Sequence, residues 1–238
     1  MKTTIERLDT LLLKAMRDFR LIDEGDRVLI GLSGGSDSLC LTELLVRRSR
    51  IFQPRFSPVA VHVSMPSAGY LANVVYLSDF CSRLGLEFHT VSATLPRDSR
   101  ERRSPCFLCS WMRRKALFEF AQAHRFNKIA LGHHQDDIIQ TFLLNLIFAG
   151  RLDTMPAVLS YRKMPLTLIR PLCLIPRELI RRHAQAAGYE SQLRPCPHED
   201  ESNRLRAARL LARLEELNPD ARHSLWHAIL PLLSRKPL

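Results

Sequence analysis

Ser33-Gly34-Gly35-Ser36-Asp37-Ser38 stands between a short apolar run, Val-Leu-Ile-Gly-Leu at 28–32, and a helix-like run at 39–48. A buried strand that breaks at a Gly-rich turn and opens into a helix builds an anion cradle. Backbone N–H groups and the positive end of the helix dipole converge there on one point. Gly34 and Gly35 let the chain turn where a Cβ would clash, and let backbone come close to a phosphate. The hydroxyls of Ser33, Ser36 and Ser38 add donors. Asp37 repels a phosphate unless a Mg²⁺ ion comes with it. The spacing is not that of the Walker loop, and the third Gly of the dinucleotide fingerprint is missing. Taken alone, the segment would also serve as a Ser/Gly turn capping a helix.

The surrounding chain alternates strand-like and helix-like stretches. Strands are expected at 28–32, 58–63, 86–91 and 128–131, and helices at 39–48, 71–84, 111–124, 136–147 and 178–188. Ile5, Leu8, Leu12, Ala15, Met16 and Phe19 recur at helical spacing, so the first 24 residues read as an amphipathic helix. Residues 97–105 are polar and read as a loop. The pattern predicts an α/β fold with a doubly wound parallel sheet, whose ligands sit at the carboxyl ends of the strands. The segments 33–38 and 132–137 both follow strands and can share one crevice. Residues 25–200 form the expected α/β domain, with the cysteine-bearing stretch as an insertion. Residues 201–238 form a C-terminal basic helical segment.

Gly132-His133-His134-Gln135-Asp136-Asp137 puts two imidazoles and two carboxylates at one strand end. Such groups are costly to bury without partners. They read either as a capped helix start or as a site in which Asp136 or Asp137 helps hold Mg²⁺ and His133 or His134 neighbours a nucleotide. Six cysteines stand at 40, 81, 106, 109, 173 and 196. Cys40, Cys81 and Cys173 lie in apolar stretches and read as core. Cys106-Phe-Leu-Cys109 and Cys196, in a Pro-rich turn, read as metal ligands. Three thiolates suit a [4Fe–4S] cluster with one iron left without a protein ligand. With His198 they also suit a Cys₃His zinc site, and thiolate ligation alone does not choose between them.

The chain has 238 residues, is 46% hydrophobic and 25% charged, and carries a net charge of +11. The excess is mostly Arg, at 100–103, 113–115, 181–182 and 204–213. A nucleic acid is the simplest partner for such a surface. The first residues lack the apolar core of a signal peptide, and no apolar run is long enough to span a membrane. The expected setting is cytoplasmic, with thiols reduced and free for metal.

In this order the motifs resemble the tRNA 2-thiocytidine synthetase (TtcA-type) family of PP-loop ATP pyrophosphatases. The resemblance rests on S-G-G-S-D-S at 33–38, C-F-L-C-S-W-M-R-R at 106–114 and L-G-H-H-Q-D-D-I-I-Q-T at 131–141. It continues through Asn145, Gly150, Met155-Pro156, the segment I-R-P-L at 169–172 and Glu178, to a Cys at 196 before an Arg-rich helix. It implies an adenine nucleotide α-hydrolase-like fold with a small C-terminal helical extension. ATP with Mg²⁺ would bind Ser33, Gly34, Gly35, Ser36, Asp37, Ser38, Gly132, His133, Asp136 and Asp137. A tRNA cytidine O2 would attack the α-phosphate, and sulfur carried at Cys106, Cys109 and Cys196 would displace AMP, with Asp37 and the three cysteines as the catalytic set. Arg113, Arg114, Arg204 and Arg209 would contact tRNA phosphates. A cysteine desulfurase would supply the sulfur, and the protein would be a homodimer.

Four positions depart from the family's pattern. Ser36 stands where the loop usually has Lys, His62-Val-Ser64 where the second strand usually ends in Asp, and Gln140 where Glu is usual. Glu199 stands where a second Cys commonly follows. Two other readings therefore accompany the first. One is an adenylating ligase of the lysidine-synthetase type without a cluster. The other is a zinc-stabilised, non-catalytic RNA-binding protein.

Overall fold

The computed structural model describes residues 3–51, 53–66, 72–94, 105–161, 164–190 and 203–234, with backbone alone at 105 and 106. The chain opens on α1 (Thr4–Asp18). Its start is fixed reciprocally, since Glu6 N–H donates to the Thr3 hydroxyl and Thr3 N–H donates to the Glu6 carboxylate. Then come β1 (Arg27–Gly31), α2 (Ser36–Ile51), β2 (Ser57–Ser64), α3 (Val74–Arg83) and β3 (Phe88–Ser92). These are followed by α4 (Pro105–Ala123), β4 (Lys128–Ala130) and α5 (Gln135–Ala149). Two short strands, β5 (Val158–Ser160) and β6 (Thr167–Ile169), precede α6 (Arg177–Ala186), α7 (Asn203–Leu217), α8 (Ala221–Ile229) and a 3-10 turn at Leu230–Ser234.

The sheet order is β3-β2-β1-β4-β6-β5, with every pairing parallel except β5 on β6. The chain moves outward through β2 and β3, then returns past β1 to β4. The sheet therefore reverses its winding between β1 and β4, where a crevice opens at the strands' carboxyl ends. β1 is buried on both faces. Val28 and Ile30 join the core beneath α1, α2 and α5, while Leu29 faces Leu117, Phe118 and Ala121 of α4. Helices thus cover both faces of a largely parallel sheet, and the doubly wound α/β reading holds. The antiparallel edge strand β5 departs from the all-parallel expectation. The C-terminal helices pack into the same core as α1. Leu211, Ile229, Leu232 and Leu233 are buried in one cluster with Leu8 and Leu12, and Ala157 N–H donates to the Leu233 carbonyl.

One polar knot ties α2 to α6 and the turn behind it. The Glu43 carboxylate accepts from Nε2 of His183 at 3.0 Å and from the Tyr189 hydroxyl. The His183 hydrogen bond, joined by that of Tyr189, holds the Glu43 carboxyl below its usual range against the opposing effect of burial. A depressed carboxyl stabilises the fold above its unfolded pKa, near 4.5, and loses that contribution as pH falls through its lower folded value. Glu43→Ala is expected to cost about 2–3 kcal/mol at pH 7, from two charge-assisted bonds and the donors left behind. Urea titrations at pH 7 and pH 3 check this, and the gap between variant and parent should shrink at the lower pH.

Candidate functional site

The loop after β1 is held by its own last serine. Ser38 is buried at the first turn of α2, and its Oγ accepts from the N–H groups of Ser33 and Gly34, each at 3.1 Å. The same hydroxyl donates to the Gly35 carbonyl at 2.9 Å. Ser38 therefore shapes the cradle, where the sequence suggested only one more phosphate donor. Gly34 has φ +92°, which explains why this position has no side chain.

The second loop follows β4 and presses on the first. A Cβ on Gly132 would lie 3.1 Å from the carbonyl carbon of Asp37 and 3.2 Å from the Ser38 nitrogen. His134 then caps α5. Its N–H donates to Asp137 Oδ2 at 3.0 Å, and its Nδ1 accepts from the Asp137 N–H at 3.3 Å. An accepting Nδ1 assigns the proton to Nε2, which lies 3.8 Å from Asp37 Oδ2. One buried imidazole thus stands between the two carboxylates, and helix capping sets its tautomer.

The adjacent aspartates part company. Asp137 faces the crevice. Asp136 turns to the C-terminal helices, where it accepts from the Arg177 N–H at 2.8 Å and pairs with Arg222. Asp136 does not line the crevice, and Arg222 was missed in the sequence. His133 does line it. Burial, followed by the nearby Arg170 charge, lowers His133 to about 3, so the imidazole is neutral. Its buried Nδ1 has no hydrogen-bond partner among the described residues.

The crevice encloses about 520 Å³. The floor is apolar, with Val61 and Val63 at the end of β2 and Leu131 after β4. The α4 wall brings Ser110, Arg113 and Arg114, and Arg204 arrives from the first turn of α7. Ser110 and the two valines were not named as site residues from the sequence, although Ser110 stands inside the quoted 106–114 motif. Arg209 is exposed further along α7, away from the crevice lining. A second cavity of about 620 Å³ lies between α3 and the turn after α6 and holds none of these groups.

α4 begins at Pro105, six residues before the expected start. Cys106 and Cys109 therefore lie one turn apart on a helix, which continues directly into the Ser110, Arg113 and Arg114 wall. Cys109 is half-buried against the core beneath α4. Cys40, Cys81 and Cys173 are buried, and burial pushes Cys81 and Cys173 up to about 12, so those thiols stay protonated. Cys196 and His198 lie outside the described residues.

No group of three or more His, Cys, Asp or Glu among the described residues is gathered to hold a metal ion. Mg²⁺ needs none, because it takes one or two carboxylates and completes its shell with phosphate oxygens and water. Asp37 and Asp137 fit that demand. Burial raises the Asp37 carboxyl, His134 opposes this, and the Asp137 charge raises it further. A dication is what two such carboxylates lack.

Residues 2–213 match the model of the PP-loop domain family. A tRNA-cytidine(32) 2-sulfurtransferase of Alkalilimnicola ehrlichii is 38% identical over 200 residues, covering 82% of this chain and 62% of that protein. A tRNA-cytidine(32) 2-sulfurtransferase 1 of Francisella tularensis subsp. novicida is 32% identical over 237 residues, covering 96% of this chain and 88% of that protein. Among solved structures, the U34-tRNA thiolase NcsA from Methanococcus maripaludis, determined with its [4Fe-4S] cluster, superposes with a TM-score of 0.78. It is 24% identical and covers 98% of this chain and 80% of that one, which establishes a shared fold. The chain therefore belongs to the PP-loop family and, within it, groups with the tRNA-cytidine 2-sulfurtransferases.

Proposed function

We propose that the protein is an ATP-dependent tRNA sulfurtransferase that converts a cytidine C2 carbonyl to a thiocarbonyl. The observation that carries this reading is the continuity of α4, whose first turns bear Cys106 and Cys109 and whose next turn lines the nucleotide crevice. Sulfur delivery and base activation thus share one wall.

The chemistry divides into two displacements. The cytidine O2 attacks the α-phosphate of ATP, the bond to the β-phosphate breaks, and pyrophosphate leaves. The base is now O-adenylated at C2, so AMP replaces a poor leaving group with a good one. A sulfide-level sulfur then adds at C2, and the C2–O bond breaks with release of AMP. The Ser33–Ser38 loop would bind phosphate through the N–H groups that open α2, because those of Ser33 and Gly34 are taken by Ser38 Oγ, which holds the loop's shape. Asp37 and Asp137 would hold Mg²⁺, which offsets charge on the departing pyrophosphate. His134 holds Asp137 by the reciprocal cap and stands 3.8 Å from Asp37. Neutral His133 adds no charge beside the reacting phosphate. The apolar floor excludes water that would hydrolyse the adenylate.

Cys106, Cys109 and Cys196 would hold a [4Fe–4S] cluster, which supplies an iron coordination site open to the incoming sulfur atom. The donor set fits to the extent of two thiol positions one helical turn apart. Sulfur would come from a cysteine desulfurase. Arg113, Arg114 and Arg209 would meet tRNA phosphates, with two protomers per assembly. No helix among the described residues is long and apolar enough to cross a membrane, and the reading places the enzyme in the cytoplasm with its tRNA.

Cys109→Ala tests the division of labour. In anaerobically purified protein it should abolish 2-thiocytidine formation and lower iron and acid-labile sulfide. Pyrophosphate release with tRNA should stay within about threefold of the parent, since a side chain outside the phosphate contacts changes binding little. Stoichiometric zinc without sulfide in the parent would favour the adenylating ligase instead.

A further inference from the structure

The charge balance of the crevice leaves one requirement open. The Ser33–Ser38 loop contains one ionisable side chain, Asp37, and no cation. Asp137 adds a second carboxylate from α5. A triphosphate entering here meets neutral N–H donors and two like charges. A divalent ion offsets the carboxylates, but the phosphates still need positive charge from the protein.

The crevice offers three guanidinium groups, Arg113, Arg114 and Arg204. Arg113 and Arg114 belong to α4, the helix that carries the cysteines. Arg204 comes from the first turn of α7, which packs on α5, the helix that starts at the second loop. Its guanidinium stands 3.7 Å from Asp137 Oδ1, longer than a hydrogen bond. The Arg204 side chain is 57% exposed and that of Asp137 13%. So long and wet a pair holds weakly and gives way to a better partner. A phosphate is such a partner, because the planar guanidinium can donate two parallel hydrogen bonds to its oxygens. By contrast, Arg222, the other C-terminal arginine at this helix start, is committed to Asp136 and Glu215. Arg209 is exposed outside the crevice lining.

We propose that Arg204 is a phosphate-binding residue of the ATP site, supplying from the C-terminal helix the positive charge that the Ser33–Ser38 loop lacks. The inference rests on the ATP reading above and changes the role of Arg204 from the tRNA contact expected in the sequence. Asp137 serves as its resting partner and is released when the phosphates take the guanidinium. The C-terminal helices then belong to the nucleotide site as well as to the core.

The experiment is isothermal titration of the full-length protein with ATP and with AMP in the presence of Mg²⁺, alongside tRNA binding without ATP at fixed salt. Arg204→Ala, Arg204→Lys and the double variant Ser36→Lys/Arg204→Ala are compared with the parent, with circular dichroism confirming the fold. Arg204→Ala should weaken ATP about tenfold or more and AMP less than about threefold, as expected for loss of a charged bond to the distal phosphates. Binding of tRNA should change by less than about twofold, since one exposed arginine among many contributes little to a polyanion contact. Lys at 204 should retain part of the ATP affinity. Ser36 is exposed at the first turn of α2, so Lys at 36 should recover ATP affinity in the Arg204→Ala background. The proposal fails if Arg204→Ala binds ATP like the parent, if it loses ATP and AMP equally, or if only tRNA binding falls. A parent that binds no ATP overturns the functional reading and this inference together. A parent that binds ATP with an unaffected Arg204→Ala overturns the inference alone.

Discussion

Replacing Asp37 by Asn should lower tRNA-dependent pyrophosphate release about 10²–10³-fold, the scale of a lost metal-stabilised charge at a transferring phosphate. The melting temperature should not fall. Asn is isosteric and keeps one oxygen to accept from the Ser36 hydroxyl, so the loop has no steric reason to move. The charge itself is a burden on the fold. Burial and the Asp137 carboxylate raise the Asp37 pKa above 3.8, so its ionised form costs stability in full above the folded pKa, and that cost is relieved as pH falls from the folded value to the unfolded 3.8. Function runs the other way, because metal binding needs the carboxylate and is lost as pH falls through the same raised value. Acidification should therefore reduce turnover before it weakens the fold. Pyrophosphate assays and thermal melts across pH 4–8, on parent and variant, separate the two trends.

Gly132→Ala should reduce kcat/KM for ATP roughly 10–10²-fold, the scale of a sub-ångström misplacement of reacting groups. The new Cβ would stand 3.1 Å from the Asp37 carbonyl carbon, 3.2 Å from its oxygen and 3.2 Å from the Ser38 nitrogen. These are backbone atoms and have no rotamer to escape into. Either the phosphate loop retreats by a few tenths of an ångström, or the start of α5 does. Both loops hold the same ligand, so either movement spoils their register. Gly150→Ala is a useful contrast. That residue also follows a loop-bearing helix, but its φ is +61° and nothing lies within 4 Å of its would-be Cβ, so strain alone would lower stability there while ATP kinetics stay near the parent's. Melting temperature and steady-state kinetics on both variants check the distinction.

Much of the frame was legible because parallel strands buried on both faces leave short unbroken apolar runs. β1 and β4 are such runs, and each is followed by its polar loop, so their shared crevice could be anticipated. β5 and β6 were not. Three-residue strands carry no periodicity, and both were hidden in a Pro-rich, basic stretch. The start of α4 was misplaced because Cys-Phe-Leu-Cys has no helical alternation of apolar and polar residues. Pro105 was the available signal, since proline suits the first position of a helix. Asp136 and Asp137 could not be told apart by spacing. They lie about 100° apart around α5, and which of them faces the nucleotide depends on how α5 is seated. The partner that claims Asp136 lies 86 residues further on, beyond any local pattern. The role of Ser38 was obscured for a different reason: a hydroxyl that could donate to phosphate could equally close its own loop, and only the geometry decides.

The seating of the last helices has a consequence for how the protein is made. As the chain leaves the ribosome, the six strands of the described sheet and both loops emerge before residue 203. At that stage Asp136 lacks Arg222, Asp137 lacks Arg204, and α5 lacks the packing of α7 and α8. A nascent chain at that length carries every loop motif but a crevice whose carboxylates are unbalanced. On the proposed role of Arg204, competence for ATP arrives late in translation, and fragments truncated before residue 203 should bind the nucleotide weakly.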